Sequence, residues 1–201
     1  MLSEKQKEYF TSLRVEIIDL DISTSFFIRK INRFAYLWRE TSRAFILEEL
    51  TALRYLENGI IMHLTNLDDD KKNSNYSFRA AAIEFNNTNS TNRKAIELLH
   101  ETLKTFRKNI KELKEGHRNK RIAHLNYSAE LGIDEFLNFD KILLPHIVEA
   151  NRIADMLWGE KINVVFNLGS WEGKLDFKTD ISNLKMDVTA NKNFISNKLD
   201  G

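Results

Sequence analysis

Residues 93–113 read RKAIELLHETLKTFRKNIKEL, and this stretch decides the fold class. Its apolar residues recur at alternating steps of three and four: Ile96, Leu99, Leu103, Phe106, Ile110 and Leu113. That spacing aligns them along one side of an α-helix and leaves the charged residues on the other sides. The stretch therefore predicts a long amphipathic helix that packs through a single apolar seam.

Helix-breaking residues are scarce around this seam. The chain of 201 residues contains seven glycines and one proline, and Gly59 is the only one of these before Gly116. Such a composition favours long helices across the first half of the chain. A break with a new N-cap is expected at residues 21–25, and Pro145 is expected to kink or divide the last helix. Helical spacing and capping residues predict further helices over residues 3–20, 26–38, 42–67, 76–85 and 133–158.

The sequence changes character after Gly159. Residues 162–168 and 174–179 have the composition of strands and flank the turn-forming residues 169–173. We predict an all-α fold, a bundle of long antiparallel helices over residues 1–158, followed by a small β-hairpin extension over residues 159–201. An isolated hairpin is marginally stable in water, so it is expected to pack on the helices or to pair with another chain.

Composition excludes several classes of chemistry. Cysteine is absent, which removes disulfides, thiolate nucleophiles and cysteine-ligated zinc. The chain has no glycine-rich phosphate loop, nucleophile elbow or His-Glu metal motif. The acidic run Asp68-Asp69-Asp70 lacks the spacing of a calcium loop and is expected to be a solvated turn. His63, His100 and His146 stand alone on helical patterns and are expected to pack in the core or at an interface. We expect no metal and no other cofactor.

The chain carries no sign of a membrane segment or a secretory signal. Its N-terminal sequence, MLSEKQKEYF, is charged and lacks an apolar signal core. No stretch approaches the roughly 18 apolar residues that a membrane span needs. A cytoplasmic protein without a membrane partner is therefore expected.

Basic residues and imidazoles coincide at one place, His117-Arg118-Asn119-Lys120-Arg121-Ile122-Ala123-His124. The formal net charge is only +1, yet residues 104–121 contain eight cations against two glutamates. Such a local excess can neutralise phosphates, although cationic helix faces are often simply solvated. A histidine can move a proton near neutral pH, and an arginine can stabilise charge on a phosphate. These residue types are sufficient to cleave RNA through its own 2′-hydroxyl without a metal.

The same segment resembles the signature of the HEPN superfamily, in which an arginine is followed by four to six residues and a histidine. Arg118 and His124 fit this pattern, and Asn119 fills the polar position that often follows the arginine; Arg93 and His100 fit the spacing as well. Two segments, RNKRIAHLNY and LTNLDDDKKNSNYSF, are similar in sequence to members of the abortive-infection branch of the superfamily. The resemblance covers residues 20–158. It implies a helical homodimer in which two copies of the segment form one composite cleft.

The resemblance also implies roles for individual residues. His124 would be the general base or acid, Arg118 the phosphate contact and Asn119 the residue that orients them. Members of the family include metal-independent endoribonucleases that act as toxins or antiphage effectors, some with an antitoxin protein as partner, and catalytically silent relatives. The residues expected to bind RNA around this centre are His117, Lys120, Arg121, Lys114, Lys111 and Tyr127.

A geometric argument favours a site shared between two chains. Residues six apart on one α-helix differ by about 240° in direction and about 9 Å in height. Arg118 and His124 of one chain would then not face the same point, unless a new helix starts near Gly116 or a second chain completes the site. Two alternatives stay open: a noncatalytic HEPN-like module that binds RNA or an acidic protein, and a purely structural helical dimer.

Overall fold

The computed structural model describes residues 4–37, 42–69, 76–88, 92–123, 136–158, 164–168, 171–175 and 181. This part of the chain is helical apart from two short strands, so the fold is of the all-α class. Two segments with the wide turns of a π-helix, π1 and π2, interrupt the α-helices. The elements in chain order are α1 (Glu4–Leu37), α2 (Arg43–Leu67), α3 (Phe78–Thr88), α4 (Arg93–Glu112), π1 (Leu113–Ala123), π2 (Phe139–Leu143), α5 (Leu144–Trp158), β1 (Val164–Leu168) and β2 (Trp171–Leu175).

The predicted helix seam on α4 is confirmed. Leu99, Phe106, Ile110 and Leu113 are almost completely buried, and Leu103 packs against the core from its edge. The ring of Phe106 meets that of Phe78 on α3 edge to face, with 5.4 Å between the ring centroids. Each fully buried side chain of this size stabilises the fold by roughly 1.5–3 kcal/mol, so the seam is a main contact of α4 with the bundle.

Helix α1 is continuous, and the predicted break at residues 21–25 is wrong. The polar side chains there find partners without ending the helix: Thr24 Oγ1 donates to the carbonyl oxygen of Leu20, 2.7 Å away. Asp21 Oδ1 accepts a hydrogen bond from Asn151 Nδ2 of α5 at 2.6 Å. Because Asp21 is used to bind α5, it does not act as an N-cap, and α1 runs past it to Leu37.

Two of the other helices, α2 and α4, begin at a residue whose side chain caps the first turn. Ser42 Oγ accepts from the Phe45 amide at the start of α2, where the sequence offers Thr41 or Ser42 as the cap, and α2 ends at Leu67 as predicted. Asn92 caps α4 in the same way through the Ala95 amide. Each such cap is worth about 1 kcal/mol.

The last helix differs from its prediction over residues 133–158. Within the described residues it begins at Phe139, where Asn138 Oδ1 accepts from the Lys141 amide. Its first turns are the wide turns of π2, and the Leu144 amide donates back to the Phe139 carbonyl. Pro145, which has no amide hydrogen to donate, follows at the start of α5. The proline thus lies where the helix changes from π to α geometry.

The two strands pair antiparallel, with Val164 opposite Leu175 and Leu168 opposite Trp171. Strand β1 lies within the range expected for the first strand. The second strand was expected at residues 174–179 after a turn at 169–173, and the structure has it at Trp171–Leu175. Gly173 lies inside β2 opposite Phe166, so this glycine does not mark the turn.

Candidate functional site

Part of the predicted site lies on the junction between α4 and π1. Lys111 is in the last turn of α4, and Lys114, His117 and Arg118 are on π1. His124 and Tyr127 lie outside the described residues. The backbone of π1 continues through three further predicted site residues, Asn119, Lys120 and Arg121.

No new helix starts near Gly116, which was one of the two ways left open to bring Arg118 and His124 to the same point. Helix α4 passes directly into π1, and a methyl group in place of a Gly116 α-hydrogen would meet no atom within 4 Å. Hydrogen bonds in a π-helix span five residues rather than four, and such turns are frequent at functional sites. The wider turn changes which side chains share a side of the helix beyond Leu113. His117 and Arg118 are both half-buried there.

Lys114 is attached to the end of α2. Its Nζ donates to the backbone carbonyl of Asp68 at 3.0 Å and to Asp68 Oδ2 at 3.3 Å. Arg107 Nε lies 3.9 Å from the other carboxylate oxygen of Asp68. Lys114 thereby places a positive charge at the C-terminus of α2, where the helix dipole favours a cation. This contact fixes the start of π1 against α2.

The acidic run is therefore not the solvated turn that its composition suggests. Asp68 is mostly buried against Lys114, and Asp69 is buried. Within the described residues, no group of three or more His, Asp or Glu side chains is arranged to hold a metal ion. Asp70 lies outside the described residues.

We predict that Lys114→Ala lowers the free energy of unfolding by about 1–2 kcal/mol, because it removes hydrogen bonds from a charged donor in a partly buried place. Lys111→Ala is the matched control. Lys111 is 70% exposed and lies 3.8 Å from Glu115, so its loss should change stability by less than about 0.5 kcal/mol. Urea denaturation measures both variants, and an equal loss in the two would contradict the structural role of Lys114.

Five cations follow one another at steps of three and four: Lys104, Arg107, Lys111, Lys114 and Arg118. We call this set the basic stripe. Each member on α4 comes one position after a residue of the buried seam, so the stripe runs along the edge of that seam. Lys104, Arg107 and Lys111 are exposed, whereas Lys114 and Arg118 are half-buried. The stripe leads from the exposed surface of α4 to the half-buried Arg118.

His117 lies beside Arg118 in a half-buried position. Burial lowers the pKa of His117 from its ordinary value of 6.5, and the nearby Glu112 carboxylate offsets this only in part. Burial also lowers the pKa of His146 on α5. Both imidazoles are therefore mainly neutral at pH 7, and a neutral imidazole can accept a proton.

We predict that acidification through pH 6.5 destabilises the fold. The pKa of both histidines, His117 and His146, in the unfolded chain is 6.5. Their contribution to the free energy of unfolding is fully present above this pH, and it is lost as the pH falls through their lower pKa values in the folded protein. Replacing both by glutamine should flatten this part of the curve. Urea denaturation at a series of pH values tests the prediction. An unchanged pH dependence in the double variant would contradict it, because all other titrating groups are common to both proteins.

The isolated histidines have different environments. His63 Nδ1 lies 2.9 Å from Glu16 Oε1, which joins α2 to α1. His100 is exposed, so it does not lie in the core, one of the two places expected for it. The Asn86 side-chain amide donates to His100 Nε2 at 3.0 Å and joins α3 to α4.

Sequence reasoning missed a groove between α3 and α4. It encloses about 380 Å³ and lies near the end of α2. Two members of the basic stripe, Lys104 and Arg107, line it together with Arg79 of α3. Lys104 and Arg107 directly follow seam residues in the sequence, and this pattern could have indicated a basic surface beside the seam. The contribution of α3 depends on tertiary packing and could not have been predicted in this way.

Comparisons with protein families, curated proteins and solved structures found no match to this chain. None of the described helices combines the length and the apolar character that crossing a membrane requires.

Proposed function

We propose that this protein is a metal-independent endoribonuclease of the HEPN type, which acts as a toxin or antiphage effector from a site shared by two copies of the chain. The observation that carries the proposal is the basic stripe leading to Arg118, which begins the Arg118-Asn119…His124 segment that resembles the HEPN signature. The all-α fold is compatible with that superfamily. An antitoxin protein is a further proposed partner.

The chemistry would proceed through the 2′-hydroxyl of the RNA. His124 of one copy would take the proton of this hydroxyl, whose oxygen then attacks the adjacent phosphorus. The bond from phosphorus to the 5′-oxygen breaks, and His124 of the second copy would return a proton to that oxygen. Arg118 would stabilise the charge on the phosphate, and Asn119 would orient both groups. The products are a 2′,3′-cyclic phosphate and a 5′-hydroxyl, so the step balances without a metal.

The position of Arg118 supports the assignment of its role. Its side chain is half-buried on π1, next to His117, whose neutral form burial favours. Because water is partly excluded there, a phosphate contact would be stronger than at an exposed lysine. The attachment of Lys114 to Asp68 holds this part of π1 in place.

The test is incubation of the full-length protein with total RNA in excess EDTA, followed by gel electrophoresis. Wild type should fragment the RNA, and the rate should equal that of a parallel incubation without EDTA. Absence of cleavage would overturn the proposal. Salt-dependent RNA binding without cleavage would instead favour the noncatalytic binding module, for which the exposed cations of the basic stripe would suffice.

A further inference from the structure

The groove between α3 and α4 has an apolar floor. Phe78 and Phe106 lie at its base, buried by the contact between their rings. Leu103 is partly buried, and Ile83 remains 53% exposed among the lining residues. The apolar surface that a ligand can reach in the groove is therefore that of Ile83 and Leu103 rather than the two buried rings.

The groove has cations along its edges. Arg79 on α3 and Lys104 and Arg107 on α4 are all exposed. Asp68 is the one carboxylate among the described residues that line the groove. Asp68 is shared between Lys114, 3.3 Å away, and Arg107, 3.9 Å away, so it leaves an excess of cations in the lining. The lining is therefore positively charged above an apolar floor.

These properties define the chemistry of a ligand. An apolar floor with cationic edges suits a molecule that has a flat apolar part and a negative charge, and a nucleotide has both. The volume of about 380 Å³ falls in the range of small-molecule sites. The exposed imidazole of His100, held by Asn86, also lines the groove and offers a ring for contact with a base.

The groove is continuous with the basic stripe. Lys104 and Arg107 belong to both, and the stripe then passes through Lys111 to Arg118. From Arg107 to Arg118 the helix rise is at most about 16 Å, a distance that a few nucleotides can span. One RNA strand could therefore place phosphates along the stripe while one of its bases occupies the groove.

We propose that the groove binds one nucleotide of the RNA substrate, a few residues from the scissile phosphate, with the base against Ile83 and Leu103 and the phosphate at Lys104 and Arg107. This inference rests on the proposed function, since it takes the strand to continue to Arg118.

Two pairs of matched variants test this site by fluorescence anisotropy with a labelled single-stranded RNA in EDTA. Ile83→Glu places a negative charge beside the bound nucleotide and should weaken binding about fivefold or more through repulsion of its phosphate. Leu98→Glu is its control, since Leu98 is exposed to nearly the same extent, 54%, on α4 but does not line the groove. Lys104→Ala should weaken binding more than Lys108→Ala, which removes an exposed lysine outside the groove.

Photo-crosslinking separates this inference from the proposed function. The same RNA, carrying 5-iodouridine, is crosslinked to wild type and to the His124→Ala variant, and the modified peptides are mapped. Crosslinks within residues 78–107 are expected in both proteins. If wild type crosslinks there but never cleaves RNA, RNA binding in the groove is supported and the ribonuclease proposal is rejected.

If RNA is cleaved while crosslinks are confined to residues 111–123 and Ile83→Glu binds like Leu98→Glu, the groove proposal is overturned. Binding of an acidic peptide in place of RNA would overturn it as well.

Discussion

Replacing His124 by alanine is expected to lower the rate of RNA cleavage by at least about 100-fold, the usual contribution of a general acid or base. The expectation follows from its proposed role at both the attacking 2′-oxygen and the leaving 5′-oxygen. Arg118→Ala should have an effect of similar size, since it removes the group proposed to stabilise charge on the phosphate. Single-turnover cleavage of a defined RNA in EDTA measures both rates.

The chain offers a matched control for Arg118. Arg93 also precedes a histidine at a spacing that the HEPN signature allows, but it lies exposed in the first turn of α4. Arg93→Ala should therefore cleave RNA at the wild-type rate. Arg118→Lys should recover little activity, because a lysine lacks the planar fork that binds two phosphate oxygens. Cleavage by Arg118→Ala that equals cleavage by Arg93→Ala would exclude the assigned role.

Glu57→Ala is expected to cost about 3–5 kcal/mol of stability, as breaking a buried charged pair does. Glu57 on α2 is completely buried. Its Oε1 accepts from the Leu137 amide at 2.6 Å, and its Oε2 accepts from Arg54 Nη1 at 2.9 Å. Arg54 in turn lies 4.6 Å from the centre of the Phe136 ring. This carboxylate joins α2 to the chain that enters π2, and alanine would remove the acceptor from both donors.

Glu57→Gln provides the control. It retains one acceptor oxygen for the Leu137 amide but loses the ion pair with Arg54, so its cost should be clearly smaller than that of alanine. Burial raises the pKa of Glu57 against the opposing effects of Leu137 and Arg54. The protonated carboxyl group of Glu57 therefore contributes to stability fully below its unfolded pKa, and this contribution is lost as the pH rises through its higher folded pKa. Urea denaturation compares the three proteins, and equal stability of the alanine and glutamine variants would contradict the hydrogen-bonding role.

Much of the fold follows from local sequence features. The α4 seam, the Ser42 cap and the end of α2 at Leu67 all depend on residues close together in the chain. The false break at residues 21–25 shows where such reasoning fails. Asp21 resembles a cap locally, but its partner Asn151 is 130 residues away and comes close only in the folded bundle.

The candidate site could be predicted only in part, for the same reason. The charge excess near Arg118 is visible in the sequence, and so is the spacing to His124. The contact of Lys114 with Asp68 joins residues 46 apart. The wide turns of π1 were not expected either, because the residues of this segment have no pattern that distinguishes π from α geometry. The groove could not be predicted either, because it forms only where α3 and α4 pack side by side in the folded protein.

The most direct test of the central claim compares two RNA oligonucleotides in EDTA. They are identical except that one carries a 2′-deoxyribose immediately before the bond that the protein cleaves. We predict that the all-ribose RNA yields a 2′,3′-cyclic phosphate and a 5′-hydroxyl end, and that the substituted RNA is not cut at that bond. Cleavage of the deoxy-substituted bond, or a requirement for a divalent metal, would contradict it.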